Sequence, residues 1–236
     1  MNKKWTRVIS VAAAVVVTTA ALAAAVFHIE RNIPVNTAGS SARTIVIDPG
    51  HGGEDGGAVG YSGSVEKGIN LSISQKLHDL LTLCGFRVIM TREDDRSIHD
   101  EDANTISEQK RSDLYNRLEI YNEDPGAIVL SIHLNKYEDS SVHGAQIFYS
   151  QNQNASKQLA QSIQSAFVMM LQPENTREIK PAESNLFLMF HAEVPAVLCE
   201  CGFLSNPDEE ALLLDEEYQS KVAFTIFTGL MDYLLA

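Results

Sequence analysis

Two histidines and one glutamate in this chain have the types and settings that metal-dependent hydrolysis requires. His51 stands in a glycine-rich turn after a short β-branched run, and His133 follows a long apolar run. Glu66 stands where a helix is expected to begin. Zinc accepts imidazole and carboxylate ligands, and a catalytic zinc ion keeps one position open for water or substrate. The sequence therefore predicts a mononuclear zinc hydrolase site at His51, Glu66 and His133.

Glu200 has the setting of a general base. It follows the apolar run 195–199 and precedes Cys201. Burying an unpaired carboxylate costs on the order of several kcal/mol. Apolar surroundings also raise the pKa of such a group towards a value useful for proton transfer. A structural ion pair with an arginine is the alternative, and we favour the catalytic interpretation.

Each of these residues also has an ordinary structural interpretation. His51 could belong to a glycine-rich turn, Glu66 could stabilise a helix N-terminus, and His133 could be a hydrogen-bonded core residue. The combination is more specific, because His51, His133 and Glu200 all fall at predicted strand C-termini and so converge on the sheet edge where open α/β folds bind ligands. The remaining histidines lack this setting and are predicted to be bystanders: His78, His99, His143 and His191.

Two other groups of residues compete for a metal. Glu54 and Asp55 follow His51 closely, but we expect the loop to leave them solvated. Cys199 and Cys201 would share one face of a strand, which is a poor geometry for a disulfide. Together with Cys84 they are predicted to be reduced and buried. A cysteine zinc site or nucleophile is the alternative, and no histidine stands beside them in the sequence.

The elements that must position these residues alternate between strands and helices. Such alternation indicates one α/β domain with a mostly parallel, twisted sheet and helices on both faces. The predicted strands are 44–47, 86–91, 127–132, 146–149 and 196–200, and the predicted helices are 66–83, 106–121, 155–171 and 217–235.

Residues 1–27 are predicted to be an export segment. Three basic residues precede the uncharged apolar run 8–27. The segment is either a signal peptide cleaved after 23–25 or an uncleaved membrane anchor. Both place the remainder outside the cytoplasm, secreted or anchored, because the positive flank stays inside. Residues 28–42 then form a polar linker, and 43–236 form the catalytic domain.

The charge balance excludes some partners. The chain has 18 basic and 31 acidic residues, a formal net charge of −13. This charge disfavours nucleic acid or an anionic membrane surface as the main partner. A neutral or mixed-charge substrate fits better.

With these residues identified, the chain resembles the zinc-dependent N-acetylmuramoyl-L-alanine amidases of the amidase-3 type. The resemblance covers nearly everything from Arg43 to Ala236. Its segments are jointly specific: 45–55 (IVIDPGHGGED), Glu66-Lys67 with Asn70-Leu71, Thr91-Arg92, 131–135 (SIHLN) and 200–206 (ECGFLSN).

The resemblance implies a role for each matching residue. His51, Glu66 and His133 would bind Zn²⁺, and Glu200 would be the catalytic glutamate. Arg117 matches an arginine with a structural role, and Asn135 matches the asparagine after the second histidine. The implied substrate is peptidoglycan, cut at the amide between N-acetylmuramic acid and L-alanine.

Within the family, the chain most resembles the short, single-domain, spore-associated (CwlD-like) members. They imply action on the spore cortex, where peptides are removed before muramic δ-lactam forms, and a location in the forespore intermembrane or cortex space. Without a wall-binding module, the domain is expected to reach its polymer through a membrane tether at residues 8–27 or an accessory protein.

Two departures from the family pattern concern the site. Cysteines flank Glu200 where relatives commonly carry aliphatic residues, and the stretch 187–193 lacks a basic residue that many relatives place near the substrate peptide. Arg177 and Lys180 are candidates to supply that charge.

Two other functions remain as alternatives. A zinc peptidase of the wall, such as a carboxypeptidase, would need a cationic pocket for a terminal carboxylate, and the sequence indicates none. A catalytically silent wall-binding domain would usually have lost Glu200 or one of the ligands.

Overall fold

The computed structural model of the protein describes residues 42–236, and the predicted export segment lies outside them. The strands are β1 Thr44–Pro49, β2 Arg87–Met90, β3 Ile128–Asn135, β4 Gln146–Tyr149, β5 Lys180–Pro181 and β6 Ala196–Phe203. The helices are α1 Glu66–Leu83, α2 Ile106–Asn122, α3 Asn154–Met170, α4 Phe187–His191, α5 Pro207–Leu213 and α6 Glu216–Leu235. Among these residues, no helix has the length and apolar character that crossing a bilayer demands.

The six strands form one sheet in the order β2-β1-β3-β6-β4-β5. Strand β1 pairs in parallel with β2 and β3, and β3 pairs in parallel with β6. Strand β4 runs antiparallel to β6 and parallel to β5. Parallel neighbours need crossover connections, which the helices supply. The prediction of a mostly parallel α/β sheet is confirmed.

Helices cover both faces of the sheet, as predicted. One apolar layer packs α1, α3 and α6 against alternate strand residues such as Ile47 and Leu130. The other layer packs α2 and α4 against the intervening residues, among them Val46 and Val129. Because successive strand side chains point to opposite faces, each central strand serves both layers. This burial on both sides explains the nearly continuous apolar runs of the sequence.

Two central strands continue beyond their predicted ends. Strand β3 extends to Asn135 and β6 to Phe203, so His133, expected just after its strand, and Glu200, expected at the end of its strand, both lie inside their strands. The ladder continues with His133 opposite Glu200 and, after an irregularity, Asn135 opposite Phe203. Backbone pairing tolerates polar side chains there because they face the crevice at the sheet edge.

Three short elements were absent from the sequence prediction: β5, α4 and α5. Helix α5 had a recognisable start, since the Asn206 side chain accepts hydrogen bonds from the Asp208 and Glu209 N–H groups and Pro207 follows. Helix α4 has no side-chain cap. Strand β5 has two residues, fewer than periodicity can detect.

A buried carboxylate collects hydrogen bonds under the carboxyl end of β1. Asp48 is fully buried and accepts from Thr91 Oγ1 (2.6 Å), Arg117 Nη1 (2.6 Å), Tyr121 Oη (2.5 Å) and Ser131 Oγ (2.8 Å). Burial by itself would raise the pKa of Asp48. The Arg117 cation and the hydroxyl donors outweigh burial and hold this pKa well below its usual range. Asp48 therefore stays ionised at neutral pH.

Two buried arginines hold the turn that follows β1. Arg117 donates to the carbonyls of Pro49 (2.8 Å) and His51 (2.7 Å). Arg92 donates to the carbonyls of Pro49 (3.0 Å) and Gly50 (2.8 Å). Three successive carbonyls of the turn thus accept hydrogen bonds from guanidinium groups, and the backbone at His51 is fixed from both sides.

We predict that Asp48→Asn destabilises the protein strongly. Breaking a buried ion pair leaves part of the Arg117 charge uncompensated, and we expect a loss of about 3 kcal/mol in the free energy of unfolding. Urea unfolding at neutral pH measures it. Glu217→Gln breaks an exposed pair with Lys221 and is the control, expected to leave stability nearly unchanged. Similar effects of both substitutions would contradict the structural importance of Asp48.

Candidate functional site

The structure brings the three predicted metal ligands together. Glu66 lies between the imidazoles, with Oε2 3.2 Å from His51 Nε2 and Oε1 3.1 Å from His133 Nδ1. The two ring centroids are 5.0 Å apart, edge to face. One donor atom from each residue lies within 4.8 Å of the others. These residues could hold one metal ion.

Glu66 is the first residue of α1 and is only 2% exposed. Its carboxylate accepts hydrogen bonds from the N–H groups of Ala58 (2.8 Å) and Leu134 (3.0 Å) and from Asn70 Nδ2 (3.0 Å). The helix N-terminus further stabilises negative charge. Burial would raise the pKa of Glu66, but its contacts with His133 and the other imidazole hold that pKa far below its usual range. A permanently ionised carboxylate is a suitable ligand for a cation.

His51 projects from a tight turn. Its φ is 62°, in the left-handed region, and the following turn is closed by two backbone hydrogen bonds between Gly52 and Asp55 (2.9 and 3.1 Å). The turn returns Asp55 to His51, where Oδ2 lies 2.9 Å from Nδ1. Lys110 Nζ donates to the other oxygen of Asp55 at 2.9 Å. The expectation that Asp55 is solvated holds only in part: its side chain is 32% exposed, but each oxygen also contacts a side chain. Glu54 is exposed as expected.

Nearby carboxylates also change the protonation of His51. Burial would lower the pKa of its imidazole, but hydrogen bonds to Asp55 and Glu66 and the charges of these groups raise this pKa to about 9. Without a metal, the His51 imidazole is therefore a cation at neutral pH, with a proton on each ring nitrogen. A metal ion that binds one of these nitrogens must displace the proton on it.

Two glycines permit the close approach of these side chains. A Cβ at Gly50 would lie 2.3 Å from His133 Cε1. A Cβ at Gly57 would lie 2.5 Å from Glu66 Oε2 and 2.6 Å from His51 Cδ2. Any side chain at either position would displace a predicted ligand.

Glu200 lies beside this cluster, opposite His133 in the sheet. Its Oε2 is buried and has no hydrogen-bond partner within residues 42–236. No lysine or arginine of this part of the chain pairs with it, so the arginine ion pair considered from the sequence does not form. Burial raises the pKa of Glu200 to about 7, with His133 lowering it and Glu66 raising it to a smaller extent. The group can thus accept or release a proton near neutral pH.

The cysteines take no part in the site. Cys199 and Cys201 are buried in the layer of α1, α3 and α6, on the sheet face opposite Glu200. Burial raises the pKa of both thiols. Cys84 is exposed at the end of α1, so the prediction that all three cysteines are buried was wrong there. The predicted absence of a disulfide holds for all three, which are free.

The other histidines lie outside the metal-binding group. His78 contacts its neighbour Asp79, His143 contacts a carbonyl of its own loop, and His191 packs against Phe187. His99 lies nearer the site than expected, because it lines the cavity that begins at His51.

That cavity has a volume of about 450 Å³ and extends from the two ligand histidines towards α2. Its apolar wall includes Leu114 and Leu188, and Lys110 lies on its polar side. Sequence reasoning missed the cavity because Leu188 belongs to α4, which has no signal in the hydrophobic pattern.

Arg177 lies on the opposite flank, near β4. Its guanidinium stacks over the Phe203 ring at 4.6 Å, and Nε donates to the His143 carbonyl at 2.8 Å. Nη1 lies 3.4 Å from Oε1 of Gln146, the residue that pairs with Glu200 in the sheet. A role for Arg177 in binding a substrate carboxylate stays a prediction.

Comparison with known proteins relates this geometry to a family. The family model described as N-acetylmuramoyl-L-alanine amidase matches residues 45–232. The germination-specific N-acetylmuramoyl-L-alanine amidase of Bacillus subtilis is 38% identical over 193 residues, which are 82% of this chain and 80% of that protein.

Solved structures agree in fold. The CwlD amidase from Clostridioides difficile, determined in complex with the GerS lipoprotein, has a TM-score of 0.79 and 42% identity over 82% of this chain and 98% of its own. An N-acetylmuramoyl-L-alanine amidase from Clostridium difficile 630 has a TM-score of 0.72 and 32% identity, covering 84% of this chain and 99% of its own.

We predict that Glu200→Gln changes how stability depends on pH. Because the folded-state pKa of Glu200 is about 7, above its ordinary value of 4.5, the metal-free folded protein binds this proton more tightly than the unfolded chain does. As pH rises between these two pKa values, the free energy of unfolding of the unchanged protein therefore falls by about 3 kcal/mol. The variant, which lacks this carboxyl group, does not show that fall. Urea unfolding of both proteins in chelator, from about pH 5 to about pH 8, measures the difference. Parallel stability curves would contradict the raised pKa.

Proposed function

The chain belongs to the N-acetylmuramoyl-L-alanine amidase family, and we propose that it is a zinc-dependent member that acts on the peptidoglycan of the spore cortex. The family supplies the reaction, which is hydrolysis of the amide between N-acetylmuramic acid and L-alanine. One observation carries the zinc proposal: Glu66 lies between His51 and His133, and the ionisable Glu200 lies beside them without a partner.

The residues present fit a zinc ion. Two imidazoles and one carboxylate are a ligand set found in catalytic zinc sites, where the fourth position remains open. His51 would bind through Nε2, because its Nδ1 contacts Asp55. When bound, zinc supplies polarisation of a carbonyl and lowers the pKa of water. Other divalent ions could use the same three ligands.

Glu200 is proposed to move the proton. An ionised carboxylate accepts a proton from the attacking water, and the resulting acid delivers it to the amide nitrogen as the L-alanine amine departs. Its pKa of about 7 suits both steps, because neither protonation state is strongly disfavoured near neutral pH. Its unpartnered Oε2 is free to contact water or substrate.

Glu66 and Glu200 have different proposed roles, metal ligand and general base. Three N–H donors and two imidazoles keep Glu66 ionised, which suits a ligand and excludes it as a base. Glu200 has no such donors, and burial raises its pKa to about 7, so the group can exchange a proton near neutral pH. The family match favours the amidase over the carboxypeptidase, and the presence of His51, Glu66, His133 and Glu200 favours it over a silent wall-binding domain.

Cellular role and location are part of the proposal. The similarity to a germination-specific amidase supports peptide removal from spore cortex, preceding muramic δ-lactam formation. The apolar run 8–27 supports export and either secretion or a membrane tether. The CwlD amidase, solved with the GerS lipoprotein, supports an accessory protein for this chain too. Either device would bring the catalytic domain close to its polymer.

The first test is mass spectrometry of muropeptides after residues 43–236 act on peptidoglycan with added zinc. We expect free stem peptides that begin with L-alanine and muramic acid without peptide. Chelation should stop product formation, and zinc should restore it. Loss of only a terminal amino acid would indicate the carboxypeptidase. Absence of product, with zinc bound and an accessory lipoprotein present, would indicate a silent domain.

We also predict that Glu200→Gln abolishes most turnover while the protein remains folded and still binds zinc. Losing general acid–base catalysis should lower kcat by about 10²–10⁴-fold. Zinc stoichiometry and circular dichroism should be unchanged, and the exposed Glu193→Gln serves as control. In the unchanged enzyme, kcat/KM should fall as pH drops below about 7, because protonated Glu200 cannot accept a proton. Retained activity in the Gln variant would exclude Glu200 as the base.

A further inference from the structure

A carboxylate beside the metal centre has contacts that the proposed reaction does not use. Asp55 connects His51 to helix α2: one oxygen lies 2.9 Å from His51 Nδ1, and the other accepts from Lys110 Nζ at 2.9 Å. Lys110 is 55 residues away from Asp55 in the sequence, so only the tertiary fold creates this bridge. Both carboxylate oxygens are occupied, one by the His51 ring and the other by Lys110.

The turn around Asp55 is well suited to holding the ring. Two backbone hydrogen bonds between Gly52 and Asp55 close the turn, and Arg92 and Arg117 hold the preceding carbonyls. These contacts fix the backbone at His51 but do not involve its imidazole. The contact of Nδ1 with Asp55 orients the ring from the side opposite Glu66.

The tautomer matters because of Glu66. A neutral imidazole carries one N–H, and a proton on Nδ1 leaves the Nε2 lone pair available to a metal. If the proton moved to Nε2, it would be donated to Glu66 Oε2, only 3.2 Å away. Two of the three ligands would then bind each other and would compete with the ion.

We propose that Asp55 is a positioning residue for the metal centre, which holds the His51 proton on Nδ1 and so presents Nε2, with Lys110 anchoring the Asp55 carboxylate. This inference rests on the proposed metal site and adds two residues to it. His133 is held differently: it belongs to strand β3, and its only side-chain hydrogen bond within residues 42–236 is to Glu66. The two histidines therefore depend on different parts of the fold.

The test is zinc affinity, measured for the full chain by competition with a chromophoric chelator. Removing the carboxylate in Asp55→Ala should weaken zinc binding by about 10–100-fold, the range typical for partners of metal-bound histidines. Asp55→Asn keeps an oxygen that can accept from Nδ1 but loses the charge, so an intermediate loss is expected. Lys110→Met should cause a smaller loss in the same direction.

Glu54→Gln is the matched control. Glu54 is exposed on the same turn, and within the described residues its side chain makes no hydrogen bond or ion pair, so the substitution removes the same charge one residue away. We expect its zinc affinity to stay within about twofold, while the visible spectrum of the cobalt-loaded protein changes in Asp55→Asn and not in Glu54→Gln. Urea unfolding in chelator checks that each variant folds. If Asp55→Ala does not fold, Asp55→Asn is the variant that tests the inference.

Three results would overturn the inference. The first is unchanged affinity in both Asp55 variants, and the second is an equal loss in Glu54→Gln, which would indicate a general charge effect. The third is failure of the unchanged chain to bind one equivalent of zinc, which would overturn the metal site as well. Tight zinc binding with no muropeptide product would leave the positioning role intact and contradict the proposed reaction alone.

Discussion

The buried pair of Asp48 and Arg117 determines where the turn after β1 can lie. Asp48 is enclosed by four donors, and Arg117 extends from it to the carbonyls of Pro49 and His51. A charge buried without its partner is very costly, so the pair holds only in this arrangement. The left-handed backbone at His51 is therefore maintained by an interaction made beneath it. The metal-binding geometry depends on a contact that involves no ligand side chain.

The site illustrates how environment distinguishes two identical side chains. Glu66 lies at a helix N-terminus among three N–H donors and two imidazoles, and its pKa is depressed. Glu200 is also buried but has no donor for Oε2, and its pKa rises to about 7. One carboxylate is held charged, which would suit binding a cation, and the other can exchange a proton near neutral pH. The difference comes from the number of hydrogen-bond donors, because burial raises the pKa of both carboxylates and only Glu66 has donors that outweigh it.

This arrangement lowers stability locally. An unpartnered oxygen on Glu200 and a positive φ at His51 are both unfavourable in the metal-free protein. The two apolar layers oppose these costs, because the central strands are buried on both faces. A metal ion that binds only the folded protein would stabilise the fold further.

Hydrophobic periodicity and local signals determined much of this protein. Helix α1 begins at Glu66 and ends at Leu83, and β4 spans Gln146–Tyr149, both as the pattern predicts. The rule that parallel strands end at one edge also brought His51, His133 and Glu200 together. The extension of β3 and β6, the short helices and the cavity beside Leu188 were decided only by the tertiary structure. The bridge from Asp55 to Lys110 was also decided only by the tertiary structure. Such contacts join distant segments, whose relative positions depend on packing, and no local sequence pattern encodes that packing.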